Sequence, residues 1–336
     1  MQGLWSPFFE YCVFLVVTCF LLLPAGCHFQ PSGPLAFVSN ERDGTITVID
    51  TKTDRVVSTI QVGGRLRGIR VGSDKKTIWV AISYPTNQSL GEDTIAKING
   101  EGTVLAKYEA GTDPENFVID KNDARLYIAN EDAGTASVTE VGSNHLIRVM
   151  PVGLEPEGAA ISPDGRWVYI TSESSSSVSV IDTQTDQVVK TFLVGARPRE
   201  AVFSSDGTRA FVTAENGNTV AVVDARNHEV IKTIELPRRD GPTQLKPKGI
   251  AISTDGKRIY VATGRGNCVA VMDGETLQLV TLIPVGQRPW GIAISPDGQK
   301  IYTANGLSND VSVIDASSNK VVATIKAGDG PWGIAL

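Results

Sequence analysis

A repeat of 42 residues constrains this chain more than any other feature. Down one column, Glu140, Asp182 and Asp224 stand 42 apart, as do Asp273 and Asp315, while Asp50 to Asn99 and Asp224 to Asp273 are each seven residues longer. Seven segments align on that column, among them GAAISPDGRWVYITS, EAVFSSDGTRAFVTA, GIAISTDGKRIYVAT and GIAISPDGQKIYTAN. Each holds four short runs rich in β-branched and aromatic residues, separated by turn chemistry such as Ser295-Pro296-Asp297-Gly298. One four-stranded sheet cannot hide both of its apolar faces, so it must stack on its neighbours.

Two ways of stacking are open, a linear solenoid and a closed ring. The chain ends decide for the ring. The first repeat begins at its second strand, Leu35-Ala36-Phe37-Val38, whereas the chain stops after one more innermost strand, Gly333-Ile334-Ala335-Leu336. That last strand supplies what the first repeat lacks, and an open solenoid would leave it as a bare edge. The predicted fold is therefore all-β: a seven-bladed β-propeller with four-stranded antiparallel blades over residues 34–336, closed by the C-terminal strand joining blade 1.

Residues 1–27 differ in kind. Tyr11 to Leu23 is an apolar run too short for a comfortable membrane span, and Pro24-Ala25-Gly26-Cys27 follows it. This is the pattern of a signal peptide without the usual basic start, and Cys27 occupies the place of a lipidated cysteine. The expected location is periplasmic or extracellular, with any membrane contact made through that lipid. Cys12, Cys19 and Cys27 all belong to this segment, so Cys268 alone remains and no disulfide framework is available. With 31 basic against 37 acidic residues and no basic block, nucleic acid is excluded as a partner.

The recurring Ser-Pro-Asp-Gly and Val-x-Val-Ile-Asp elements resemble the YVTN β-propeller repeat family. So do the variants Phe37-Val38-Ser39-Asn40, Tyr127-Ile128-Ala129-Asn130, Tyr260-Val261-Ala262-Thr263 and Tyr302-Thr303-Ala304-Asn305. The inter-blade loops look most like those of seven-repeat propellers associated with pyrroloquinoline-quinone-dependent alcohol catabolism. That resemblance implies an exported, non-catalytic binding or scaffold protein, accessory to a quinoprotein oxidation and transport system and carrying no cofactor itself. Its partner would be an envelope protein, or a small ligand at the channel mouth. A propeller hydrolase or lyase of the lactonase kind is the alternative, and a surface-layer module a third.

Residue chemistry supports the non-catalytic expectation. Of three histidines, His28 lies in the leader, while His145 and His228 fall in outer connections where exposed turn residues are usual, so neither a His-based centre nor a metal site is predicted. Both seven-residue insertions, Tyr84 to Thr94 and Pro237 to Lys248, map to one face. The same face carries a ring with one member per blade: Arg67, Glu115, Glu157, Arg199, Lys248, Trp290 and Trp332. This ring is the predicted binding face, its tryptophans acting either as interface anchors or as plugs between blades. Glu41, Glu131, Glu173 and Glu215 recur nearby and read as solvated turn carboxylates, with a weak cation site as the alternative. Arg70 and Glu200 replace the small residues of the innermost strand in nearly opposite blades and are expected to line the channel as a charged pair. Asn87-Gln88-Ser89 fits a glycosylation acceptor.

Overall fold

The computed structural model describes residues 33–85, 91–239 and 243–336. The leader, Cys27, the Asn87 acceptor and Asp240 of the second insertion lie outside them. Seven four-stranded antiparallel sheets account for the repeats, and no helix occurs among the described residues. In blade 4 the strands run from Pro156–Ile161 at the centre through Trp167–Ser172 and Ser177–Asp182 to Gln187–Leu193 at the rim. Burial follows that order. The middle strands are buried except for half-buried Trp167, whereas the outer strand alternates with solvent, as expected of sheets packed face to face with one edge in water.

Blade 1 closes as expected. Pro331–Ala335 pairs antiparallel with Leu35–Asn40, placing Val38 opposite Ile334 and Phe37 opposite Ala335. The main chain adds bonds from Glu41 N to Gly330 O (2.8 Å) and from Arg42 N to Asp329 O (3.1 Å).

Two devices narrow the ring at its axis. In blades 4 to 7 each innermost strand carries a β-bulge just after its leading proline, so that two residues face one on the next strand; Glu157 and Gly158 are set against Thr171 in this way. The second device is glycine at the bulge. A Cβ on Gly158 would collide with the carbonyl oxygen of Arg199 in the next blade, one on Gly249 with that of Trp290, and one on Gly291 would lie 2.6 Å from that of Trp332. At these positions backbone meets backbone because no side chain intervenes, whereas blades 3 and 5 carry Asn116 and Glu200 there.

The turns between blades also set direction. Asp113, Glu155, Arg197, Lys246 and Arg288, each just before a proline, all take positive φ, from 51° to 60°. Holding non-glycine residues in that left-handed region costs about 1–2 kcal/mol each, and it aims the following strand inward.

Removing Gly333 to Leu336 strips blade 1 of most of its inner strand. Lost burial of Ile334 alone removes about 1.5–3 kcal/mol, and each lost ladder hydrogen bond about 0.5–1.5 kcal/mol. The truncated protein is expected to aggregate or melt far below the parent in a thermal unfolding scan; melting within a degree or two of the parent contradicts closure.

Candidate functional site

All seven predicted ring residues converge on one mouth of the channel, but they do not form an exposed docking surface. Each sits near the start of its innermost strand, and six are buried, from Glu115 at 0% exposed to Arg67 and Arg199 at 8%. Trp290 alone is half-buried. This buried layer of charge at the mouth is termed the cup.

Its acids and bases neutralise one another. Arg67 pairs with Glu115 and, at 3.0 Å, with Glu41, while Arg65 reaches Glu41 (3.2 Å) and Asp113 (3.5 Å). Across the cup, Arg199 pairs with Glu173, with Glu157 (3.1 Å) and with Glu215 (3.4 Å). Arg197 bonds Glu173 at 2.5 Å. Glu41, Glu131, Glu173 and Glu215 are therefore not solvated turn carboxylates: the bulged strands bring arginines beneath them, and all four are buried or half-buried.

The tryptophans take the plugging role expected of them. Trp290 and Trp332 meet edge to face with centroids 6.5 Å apart, filling the inner ends of neighbouring blades. They also wall in Lys248, whose Nζ lies 4.1 Å from one ring centre and 4.7 Å from the other and 3.1 Å from Glu157 Oε1. A lysine so enclosed loses its hydration; burial pulls its pKa down to about 8, with Arg199 adding repulsion and Glu157 opposing. Glu157 is pushed up by burial, but Arg199 and Lys248 outweigh that and hold it below the usual carboxylate range. Glu131 moves the other way. Burial, then repulsion from Glu157 and Asp113, raises it to about 7.

Asp113, Glu115 and Glu131 bring one oxygen each within 4.8 Å of one another, the single described group with the geometry to hold a metal ion. Positive charge is already supplied there by Arg67, 4.0 Å from Glu131, and by Arg65.

A cavity of about 30 Å³ reaches inward from the ring, lined by Lys248, Trp290 and Trp332 of the ring and by Arg70, Asn116 and Glu200, room for water and for nothing as large as a sugar. Arg70 and Glu200 both line it, as expected, yet among the described residues no ion pair within 4 Å joins them. Arg70 instead donates to the Ile69 carbonyl (2.9 Å), and burial lowers its pKa while raising that of Glu200. His145 is exposed as expected; His228 is not. It is 6% exposed, with Nδ1 2.7 Å from the Tyr169 hydroxyl and its ring edge-on to Trp167, because the turn preceding the outer strand of blade 5 folds over blade 4. The second insertion adds a short hairpin, Arg238–Arg239 with Thr243–Gln244. At the described ends of the first, Asp93 accepts from the Tyr84 and Asp113 amides.

Residues 28–244 match the model of the choice-of-anchor I domain. The chain belongs to that family. A second family model, the seven-bladed β-propeller lactonase, matches residues 187–327 of this choice-of-anchor I protein, a stretch that contains Arg199, Lys248 and Trp290. No curated protein matches. Among solved structures, a chain of Kuenenia stuttgartiensis hydrazine synthase superposes with a TM-score of 0.73 at 23% identity, covering 85% of this chain and 94% of its own. The Pseudomonas aeruginosa periplasmic gluconolactonase gives 0.74 at 18%, covering 89% and 98%. A Bacteroides fragilis protein described as a 6-phosphogluconolactonase gives 0.73 at 17%, covering 91% and 98%. At these identities the superpositions establish the propeller.

The lactonase match overturns the expectation of a non-catalytic scaffold. Neither matching family is the YVTN group, and neither refers to alcohol catabolism. Histidine and metal motifs announce themselves in a sequence, whereas carboxylates and a lysine whose protonation burial retunes do not. One signal was legible: the ring sets opposite charges on adjacent blades, Arg67 beside Glu115 and Glu157 beside Arg199, as ion pairs require.

Removing one member of such a network leaves a buried charge without its partner. Arg199→Met is expected to cost about 3–5 kcal/mol in urea unfolding, and adding Glu173→Gln to regain part of it; a loss below 1 kcal/mol would show that the network is open to water.

Proposed function

We propose that this propeller is a lactone hydrolase working in the charged cup. The observation that carries the reading is that two retuned groups of the ring region, Glu131 raised to about 7 and Lys248 lowered to about 8, share Glu157 and Arg199 as charged neighbours. Groups balanced near neutrality are what general acid–base catalysis needs. The lactonase match over residues 187–327 supports it, since that stretch brings Arg199 and Lys248. Solved relatives described as a gluconolactonase and a 6-phosphogluconolactonase favour the same class.

The chemistry follows from the side chains. Ionised Glu131 accepts a proton from water as the water oxygen bonds to the lactone carbonyl carbon. The carbonyl π pair moves onto its oxygen, where N–H groups of Arg199 and protonated Lys248 stabilise the charge. Collapse re-forms the carbonyl and breaks the ring C–O bond, and the departing alkoxide takes the proton back from Glu131. The product carboxylic acid then ionises, releasing one proton to solvent. The narrow channel beneath confines the substrate to the mouth, where Trp290 offers an apolar wall.

Proton release in a pH-stat tests this with neutral five- and six-membered sugar lactones. The base works ionised, so the rate is expected to rise as pH climbs through about 7; the lysine works protonated, so the rate falls as pH passes about 8. Glu131→Gln is expected to lower kcat by about 100-fold or more and to remove the lower limb, and Lys248→Met to remove the upper one. No hydrolysis above background by the parent protein, or parental kinetics in both variants, overturns the proposal.

A further inference from the structure

The three cationic members of the ring share a feature that the other four lack. The residue opposite each bulge is the third of the recurring tetrapeptide, and it differs among blades: Ser39, Ala81, Ala129, Thr171, Thr213, Ala262 and Ala304 in blades 1 to 7. Ser39 Oγ donates to the carbonyl of Arg67 (2.6 Å), Thr171 Oγ1 to that of Arg199 (2.9 Å) and Thr213 Oγ1 to that of Lys248 (2.5 Å). In each case the ring residue belongs to the following blade. Alanine stands where the following ring residue is Glu115, Glu157, Trp290 or Trp332. Hydroxyls occur where a cation must be placed, and nowhere else at this position.

Each hydroxyl also accepts from the bulge of its own blade. The donors are Gly333 N to Ser39 (3.0 Å), Gly158 N to Thr171 (2.8 Å) and Glu200 N to Thr213 (3.1 Å). All three hydroxyl residues are fully buried. The link runs onward, because Arg199 and Glu200 are adjacent: the bulge of blade 4 is tied to Arg199, and the Arg199-Glu200 bulge is tied to Lys248. Propeller folding does not demand this, since four blades build the same bulge with alanine.

We infer that Ser39, Thr171 and Thr213 are positioning residues, clamping the main chain of Arg67, Arg199 and Lys248 so that their charges stay aimed into the cup. The inference rests on the hydrolase reading for its kinetic consequence, but the clamp itself does not. A buried cation among several carboxylates has more than one partner within reach, as the contacts of Arg199 to three glutamates show. A fixed carbonyl restricts which arrangement it adopts. Misplacing a charge-stabilising group affects the transition state more than substrate binding.

The test converts each hydroxyl residue to the alanine that four blades already carry. Ser39→Ala, Thr171→Ala and Thr213→Ala are expected to fold and to lower kcat for a hydrolysed lactone by about tenfold each, with KM changed by less than about threefold. Thr171→Ser and Thr213→Ser should stay within about twofold of the parent. Thr183→Ala serves as control: its hydroxyl bonds the Gly165 carbonyl (2.8 Å) on the opposite face, so it should lower the melting temperature and leave kcat alone. A second readout needs no substrate. In protein labelled with ¹³C-lysine, the titration of Lys248 followed at Cε should shift in Thr213→Ala and remain unmoved in Thr183→Ala. Unchanged kinetics and an unchanged lysine titration would overturn the clamp. A shifted titration in a protein that hydrolyses no lactone would uphold it and reject the hydrolase reading.

Discussion

Close approach of the seven innermost strands is the constraint on which the rest of the molecule depends. It is enforced from outside by the pairing of Pro331–Ala335 with Leu35–Asn40, which turns a row of sheets into a ring. It is permitted inside by glycines whose missing side chains leave space for the neighbouring carbonyl. Once the ring is closed, the residue beside each of those glycines has little freedom: the bulge turns it into the channel mouth, and adjacent blades bring its counterparts within ion-pairing distance. Seven positions that are far apart in sequence thus become a single cup.

That concentration of charge has chemical consequences. Buried ion pairs lose hydration, and the gain from pairing seldom exceeds the loss by much, so a network of this size is poor evidence of a need for stability. Its effect on proton affinity is clearer. Burial and neighbouring carboxylates raise Glu131, while burial and Arg199 lower Lys248. An acid and a base with ordinary affinities about six units apart end up about one apart. A surface carrying the same residues in water would leave them near their usual values.

The ring closure, the strand order and the seven mouth positions were legible in the sequence, because each follows from the 42-residue period and from a repeat split between the two ends of the chain. Burial was not legible at the same positions. Glu41 and Glu173 read as turn residues until the arginines of the neighbouring inner strands are placed beneath them. His228 failed for a related reason: a loop position predicts exposure, and here the loop folds over Trp167 and Tyr169. The hydroxyls of Ser39, Thr171 and Thr213 stood in plain view within the repeated tetrapeptide, yet their link to Arg67, Arg199 and Lys248 appears only when each is compared with the following blade. Contacts across blades join residues 28 or more positions apart, beyond the reach of any local pattern.

Hydrolysis at the cup, as proposed, requires that a cyclic ester be held there. A sugar lactam keeps the shape and carbonyl of a lactone and resists hydrolysis, so a crystal structure of the protein with such a lactam tests that claim most directly. The expected result is the lactam in the mouth, its carbonyl oxygen within hydrogen-bond reach of Arg199 or Lys248 and its ring against Trp290. A lactam bound on the opposite face, around the short turns such as Ser162 to Gly165, with the cup unvisited, would contradict it.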